Sequence, residues 1–198
     1  MNKTDSKKLA NFFYELGQLK RAPHLGFTLA GIKHPHSIAE HVFRAAQIGF
    51  ILAEQEGLDP YKVAVMCLVH DNGEARVSDI HKVAARYIDS KEAEDKAFVE
   101  QVKNLPPAVA KTFYRMFSDF ESRSTKEGRL AKECDWLEQA ISAQEYVSQG
   151  YTGCQDWIIN VSKVLTFTST KEMLRAIKQT DFNEWYRELK RLPKKKNG

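Results

Sequence analysis

The chain is poor in several features that would otherwise decide its class. It has three cysteines in 198 residues, Cys67, Cys134 and Cys154, an odd number with no CxxC spacing. That argues against a disulfide framework and for reduced thiols in a cytoplasmic protein. No run of about 18 apolar residues occurs, so no segment is expected to span a membrane. The opening stretch "MNKTDSKKLANFFYELG" lacks the apolar core of a signal peptide. Excess charge of one sign is nearly missing: 30 Lys plus Arg face 26 Asp plus Glu, and the "KKK" at 194–196 supplies most of the net +4. With no motif of a nucleic-acid-binding protein either, no nucleic-acid partner is expected. The basic tail reads as a solvated terminus. No linker rich in Gly, Ser or Pro divides the chain, and strand-like alternation is hard to find.

What is present is helical periodicity. With 42% hydrophobic residues a sizeable core is available, and the pattern predicts one compact all-α domain of six to nine helices. Leu9, Phe12, Phe13, Leu16 and Leu19 form an early stripe. "RAPHLGFTLAGIKHPH" reads as a long loop. "SIAE" at 37–40 has the form of a capping box, opening a helix that Gly57 should end near Glu56. Asp59–Pro60 should start the next helix, running to about His70–Asn72. Further helices are expected at about 90–104, 107–120 and 125–149, the last opened by "STKE" at 124–127. "STKE" recurs at 169–172, as if capping a final helix to about Leu192. The core should span about 8–150, with a helical extension over about 151–192 and the tail at 193–198.

A few polar residues break the core pattern. His41 shares a helix face with Ile38, Ala45 and Ile48; alone, it reads as a core histidine with one hydrogen bond. His70–Asp71 ends the apolar run "VAVMCLVHD", where a plain helix C-terminus would also tolerate a histidine. Asp135 flanks the buried stripe Leu130, Cys134, Leu137 and Ile141, in a row with Ala131, Glu138 and Ser142. A carboxylate there needs a partner or a cation, and a boundary salt bridge would serve. Taken together, two histidines and two carboxylates from three helices make a mixed nitrogen and oxygen set for a divalent first-row metal. Cys67 and Cys134 read as core, so thiolate ligation is not suggested.

The order His41, His70–Asp71, Asp135 resembles the HD-domain superfamily of metal-dependent phosphohydrolases. Local motifs are similar to the 5′-deoxynucleotidase branch: "SIAEH" at the first histidine, "HDNGEARVSD" at the second, "KECDWLEQAISAQEY" around Asp135, and "LKRAPHLGF" at 19–27. The resemblance implies an all-α HD-domain bundle and a divalent ion (Mn, Co, Mg, Zn, Fe or Ni) held by His41, His70, Asp71 and Asp135. It implies Glu74 and Asp79 as proton-handling carboxylates, and Arg21 and Phe27 as contacts to phosphate and to base or sugar. Departures from the branch are His24 and Phe27 in the early loop, Ser78 where Gly is usual, and Glu133 where Asp is usual. His34 and His36 read as surface groups.

The implied activity is removal of phosphate from (deoxy)ribonucleoside 5′-monophosphates. The alternatives are hydrolysis of a nucleoside triphosphate or signalling nucleotide, and a nucleotide- or metal-binding module without turnover. A small-molecule nucleotide is the expected partner, and a homodimer is suggested by Trp157, Ile158, Trp185 and Tyr186.

Overall fold

The structure is a computed structural model that describes residues 3–187, 189 and 190. Its helices are α1 (Lys3–Leu16), α2 (Ile38–Glu56), α3 (Pro60–Val69), α4 (Glu74–Val77), α5 (Ser90–Val102), α6 (Pro107–Ser122), α7 (Lys126–Ser148), α8 (Gln155–Val164), α9 (Thr168–Gln179) and α10 (Glu184–Arg187). Among the described residues there is no strand, only an isolated antiparallel bridge between Pro23 and Ser37. None of the described helices is long and apolar enough to cross a membrane.

Local chemistry sets the ends of α2 and α3 as expected. Ser37 accepts the Glu40 amide, and the Glu40 carboxylate accepts the Ser37 amide at 2.6 Å. Gly57 closes α2 in the left-handed region, at φ 66°, where a residue without Cβ is unstrained. Asp59 accepts the Lys62 amide at 3.0 Å and opens α3.

Helix α7 is the axis, and α2, α3, α6, α8 and α9 all pack on it. Leu130, Cys134 and Leu137 of α7 meet Leu52, Met66, Phe120, Ile158 and Leu174 in one apolar core. Ile158, Val161 and Leu174 are buried there, so α8 and α9 complete the core. Trp157 is half-buried against the same core.

Several expectations are corrected. The early stripe omits Phe13, which is 63% exposed, while Phe12 and Leu19 are buried; position 13 lies about 100° round the helix from position 12. The loop after α1 is partly wound, with a 3-10 turn over Leu25–Ala30. Helix α7 is capped by Thr125, which accepts the Gly128 amide at 3.0 Å, one residue later than the "STKE" reading. Packing against α6 sets that register: a Cβ on Gly128 would fall 2.2 Å from the Asp119 carbonyl oxygen.

The second "STKE" is no cap at all; it lies within the first turns of α9. Carboxylates from other helices do that work. Glu133 of α7 accepts the amides of Thr166 (2.8 Å) and Phe167 (3.2 Å) and the Thr170 hydroxyl (2.6 Å). Glu56 of α2 accepts the Ser169 amide at 3.0 Å. Negative charge is favoured at a helix N-terminus. The expected helix to Leu192 stops at Gln179, because Asp181 accepts the Asn183 amide and such local bonds compete with helix. Leu192 and the basic tail lie outside the described residues.

Glu133→Ala should lower the unfolding free energy by on the order of 3 kcal/mol, because a buried hydroxyl and two amides lose a charged acceptor. Urea unfolding measures it. A loss below about 0.5 kcal/mol, the size of an ordinary surface change, would refute the capping role.

Candidate metal centre

His41 lies in the second turn of α2, His70 follows α3 directly, and Asp135 sits midway along α7. Packing of these helices brings the groups together. His41 Nε2 lies 3.1 Å from Asp135 Oδ1 and 3.7 Å from Asp71 Oδ2. His70 Nε2 lies 3.1 Å from Asp71 Oδ2 and 3.8 Å from Asp135 Oδ1. His41, His70 and Asp135 are all buried, and each offers a donor atom within 4.8 Å of the other two.

The outer nitrogens of both rings are already committed. His41 Nδ1 bonds Glu138 Oε2, and His70 Nδ1 lies 2.8 Å from the Cys67 carbonyl oxygen. A carbonyl only accepts, so His70 carries a proton on Nδ1 and turns Nε2 inward toward Asp71. His41 Nε2 is buried and faces Asp135 Oδ1 without a well-aligned hydrogen bond. Two imidazoles oriented from behind and facing two carboxylates suit a divalent transition ion.

The charges follow the same geometry. Burial opposes ionisation of Asp135, but Lys132, 2.8 Å away, and the two histidines hold its carboxyl well below the usual range. Burial likewise opposes charge on His41, yet Glu138 and Asp135 outweigh it and raise the imidazole well above its ordinary value. Glu138, despite burial, is drawn down to about 2 by His41 and Arg44. Glu74 behaves oppositely: burial, then Asp71 and Asp79, push its carboxyl well above the usual range. Its Oε2 is buried without a partner.

Asp79 accepts the Gly26 amide at 3.3 Å and lies 3.8 Å from His24 Nδ1, which ties the early loop to the "HDNGEARVSD" segment. Ser78 beside it has φ 62° and ψ 165°, a region in which only glycine is unstrained. This accounts for the glycine usual in the branch that the sequence resembles.

Other expected residues lie elsewhere. Arg21 is exposed and donates to the Gly17 carbonyl at 3.0 Å; no described contact joins it to the cluster. Phe27 is fully buried and stacked on Trp157, with ring centres 5.2 Å apart, so its faces are taken by the core. Glu138, which orients His41, and Lys132, which holds Asp135, stand in the motif around Asp135 but had no role assigned from the sequence. It also read His36 as a surface group. His36 is part-buried, its Nδ1 3.1 Å from the Tyr146 hydroxyl, and its ring lies 5.2 Å from that of His24. The pairing of Pro23 with Ser37, which has no sequence periodicity, brings these histidines together.

An all-α bundle carrying two buried histidines and a buried aspartate, with a second, part-exposed aspartate beside them, defines a metal-binding helical domain. The HD domain family model matches residues 16–177, and the chain belongs to that family. Over 141 residues it is 32% identical to the 5′-deoxynucleotidase HDDC2 of Xenopus laevis, covering 71% of this chain and 70% of the relative. The Homo sapiens 5′-deoxynucleotidase HDDC2 is 27% identical over 142 residues, 71% of this chain and 69% of that one. A conserved hypothetical protein from Pyrococcus furiosus shares the fold with a TM-score of 0.72 at 28% identity, covering 86% of this chain and 99% of its own.

Two outcomes follow. Ser78→Gly should raise stability by about 1 kcal/mol, the relieved strain exceeding the added freedom of the unfolded chain; an unchanged urea midpoint would contradict a strained Ser78. Burial depresses the His36 imidazole from 6.5 to about 4. Between those values the unfolded chain holds a proton that the folded chain lacks, so metal-free protein should lose stability as pH falls through that window. Thermal melts of wild type and His36→Gln check this; the variant should show the shallower loss.

Proposed function

We infer that this protein is a metal-dependent phosphohydrolase, a phosphomonoesterase acting on (deoxy)ribonucleoside 5′-monophosphates. The observation that carries the reading is the convergence of buried His41, His70 and Asp135 with part-exposed Asp71 in a member of the HD domain family. Curated relatives about 30% identical over most of the chain act as 5′-deoxynucleotidases, which supports the substrate class.

In this reading His41 Nε2, His70 Nε2, Asp71 and Asp135 hold a divalent ion. When bound, such an ion acidifies water and neutralises charge on a phosphoryl group. The protein's own groups do the rest. Glu138 and the Cys67 carbonyl keep both rings aimed inward. Lys132 holds Asp135 ionised. Glu74 keeps a proton on a buried carboxyl and can hand it on at Oε2. Asp79, a third carboxylate near the early loop, assists in proton transfer or takes a sugar hydroxyl. Arg21 would have to leave Gly17 to reach a phosphate, and Phe27 would support the site from beneath without touching a base.

We further assign the protein to the cytoplasm, where its three free, buried cysteines stay reduced. We also infer a homodimer. Ile158 is spent on the monomer core, and Trp157 and Tyr186 are only part-exposed, so the exposed apolar residues that could serve it include Phe43 and Ile51 of α2 and Trp185.

The test is phosphate release from a panel of nucleoside mono- and triphosphates with Mn²⁺, Co²⁺, Mg²⁺ or Zn²⁺, against a chelator control. Monophosphates should be hydrolysed and chelation should abolish it. Asp71→Ala should lose activity by more than about a hundredfold together with its metal, and Glu74→Gln should lower kcat by about a hundredfold or more. Metal bound without turnover would sink the enzyme reading. Release of pyrophosphate or triphosphate would sink the monoesterase reading.

A further inference from the structure

Beside the centre lies a second group of donors made only of histidines. One ring nitrogen from each of His24, His36 and His41 lies within 4.8 Å of the other two. His24 Nδ1 and His36 Nε2 are both buried with no hydrogen-bond partner. A buried polar atom without a partner is costly and needs an explanation. The rings are not free to drift. The His24 amide donates to the His36 carbonyl at 2.9 Å, and the Tyr146 hydroxyl accepts the His36 amide at 3.0 Å. The His24 and His36 rings are stacked, with centres 5.2 Å apart.

The surroundings select a cation. Asp79 Oδ2 lies 3.8 Å from His24 Nδ1, and Glu138 bonds the third ring, His41. Nitrogen donors favour a borderline ion such as Zn²⁺, Co²⁺ or Ni²⁺ over Mg²⁺ or Ca²⁺. His41 Nδ1 is engaged by Glu138 and its Nε2 faces Asp135, so His41 serves the first centre and stands between the two.

We propose that His24 Nδ1 and His36 Nε2 bind a second borderline divalent ion next to the centre formed by His41, His70, Asp71 and Asp135, with the Asp79 carboxylate as nearby negative charge. The site itself does not rest on the proposed activity. If that activity holds, the second ion supplies the positive charge beside a phosphate that Arg21, bound to Gly17 and exposed, does not bring.

The experiment is equilibrium dialysis of the full chain against Co²⁺, with the bound metal quantified and the visible spectrum recorded. The wild type should take up two ions per chain in two steps. His24→Ala and His36→Gln should each weaken the second step by roughly tenfold or more, change its spectrum and leave the first step in place. His34→Ala, at an exposed position outside the cluster, should change neither step. Uptake of a single ion by the wild type overturns the site without reference to any variant. So does a second step that His24→Ala and His36→Gln leave unchanged while His34→Ala removes it. Two ions bound with no phosphate released would reject the proposed activity and keep the site; phosphate released with one ion bound would do the reverse.

Discussion

The bond between His41 and Glu138 is the constraint on which the rest of the molecule depends. Glu138 is 1% exposed, and a carboxylate buried that deeply is tolerable only when fully paired. It is paired from three sides. His41 Nδ1 takes one oxygen, while Arg44, at 2.7–2.9 Å, and the Ser142 hydroxyl, at 2.9 Å, share the other. Arg44 also reaches Glu145 at 2.6 Å. Residues 41 and 44 on α2 thus face 138, 142 and 145 on α7, one helical row against another. A slip of one residue in either helix would turn these groups by about 100° and strand the charges. The same bond settles which nitrogen of His41 looks into the cluster, so the packing of α2 on α7 and the chemistry of the site are one arrangement.

Helix α7 extends this logic in other directions. Glu133, Asp135 and Glu138 are all buried; Asp135 and Glu138, three residues apart, both reach His41, while Glu133 lies on the other side of the helix. Between them they draw in several parts of the chain. Glu133 takes the N-terminus of α9, Asp135 takes Lys132 and the histidine cluster, and Glu138 takes α2. A buried acid on α7 is therefore a docking instruction, and α9 belongs to the domain because Glu133 would otherwise be unsatisfied.

Features written in a few consecutive residues were legible in the sequence. The caps at Ser37, Gly57 and Asp59 are local bonds and local conformations, and they fell where the sequence put them. The groups of the cluster were legible as a set because their types and order are distinctive, although each alone reads as ordinary core. What was hidden depended on distant partners. The second "STKE" looks like a cap until Glu133, on another helix, supplies a better one. Phe27 looks like a loop residue until Trp157 arrives from α8 to cover it. His36 looks like surface until the Pro23–Ser37 bridge and Tyr146 draw it inward. Hydrophobic periodicity carries no record of such contacts.

Ser78 shows how these two kinds of information meet. Its backbone occupies a region that costs a residue with a side chain about 1–3 kcal/mol, and such a conformation persists only where both flanks are held. They are held here: the Ser78 amide donates to the Glu74 carbonyl at 2.9 Å, and the next residue, Asp79, is tied to Gly26. Relaxing Ser78 in place would swing Asp79 away from Gly26 and His24. The strained turn, the carboxylate and the early loop therefore move together or not at all. A loop joined in this way is held in register with the segment that follows His70, and His24 and Gly26 share the geometry of Asp79.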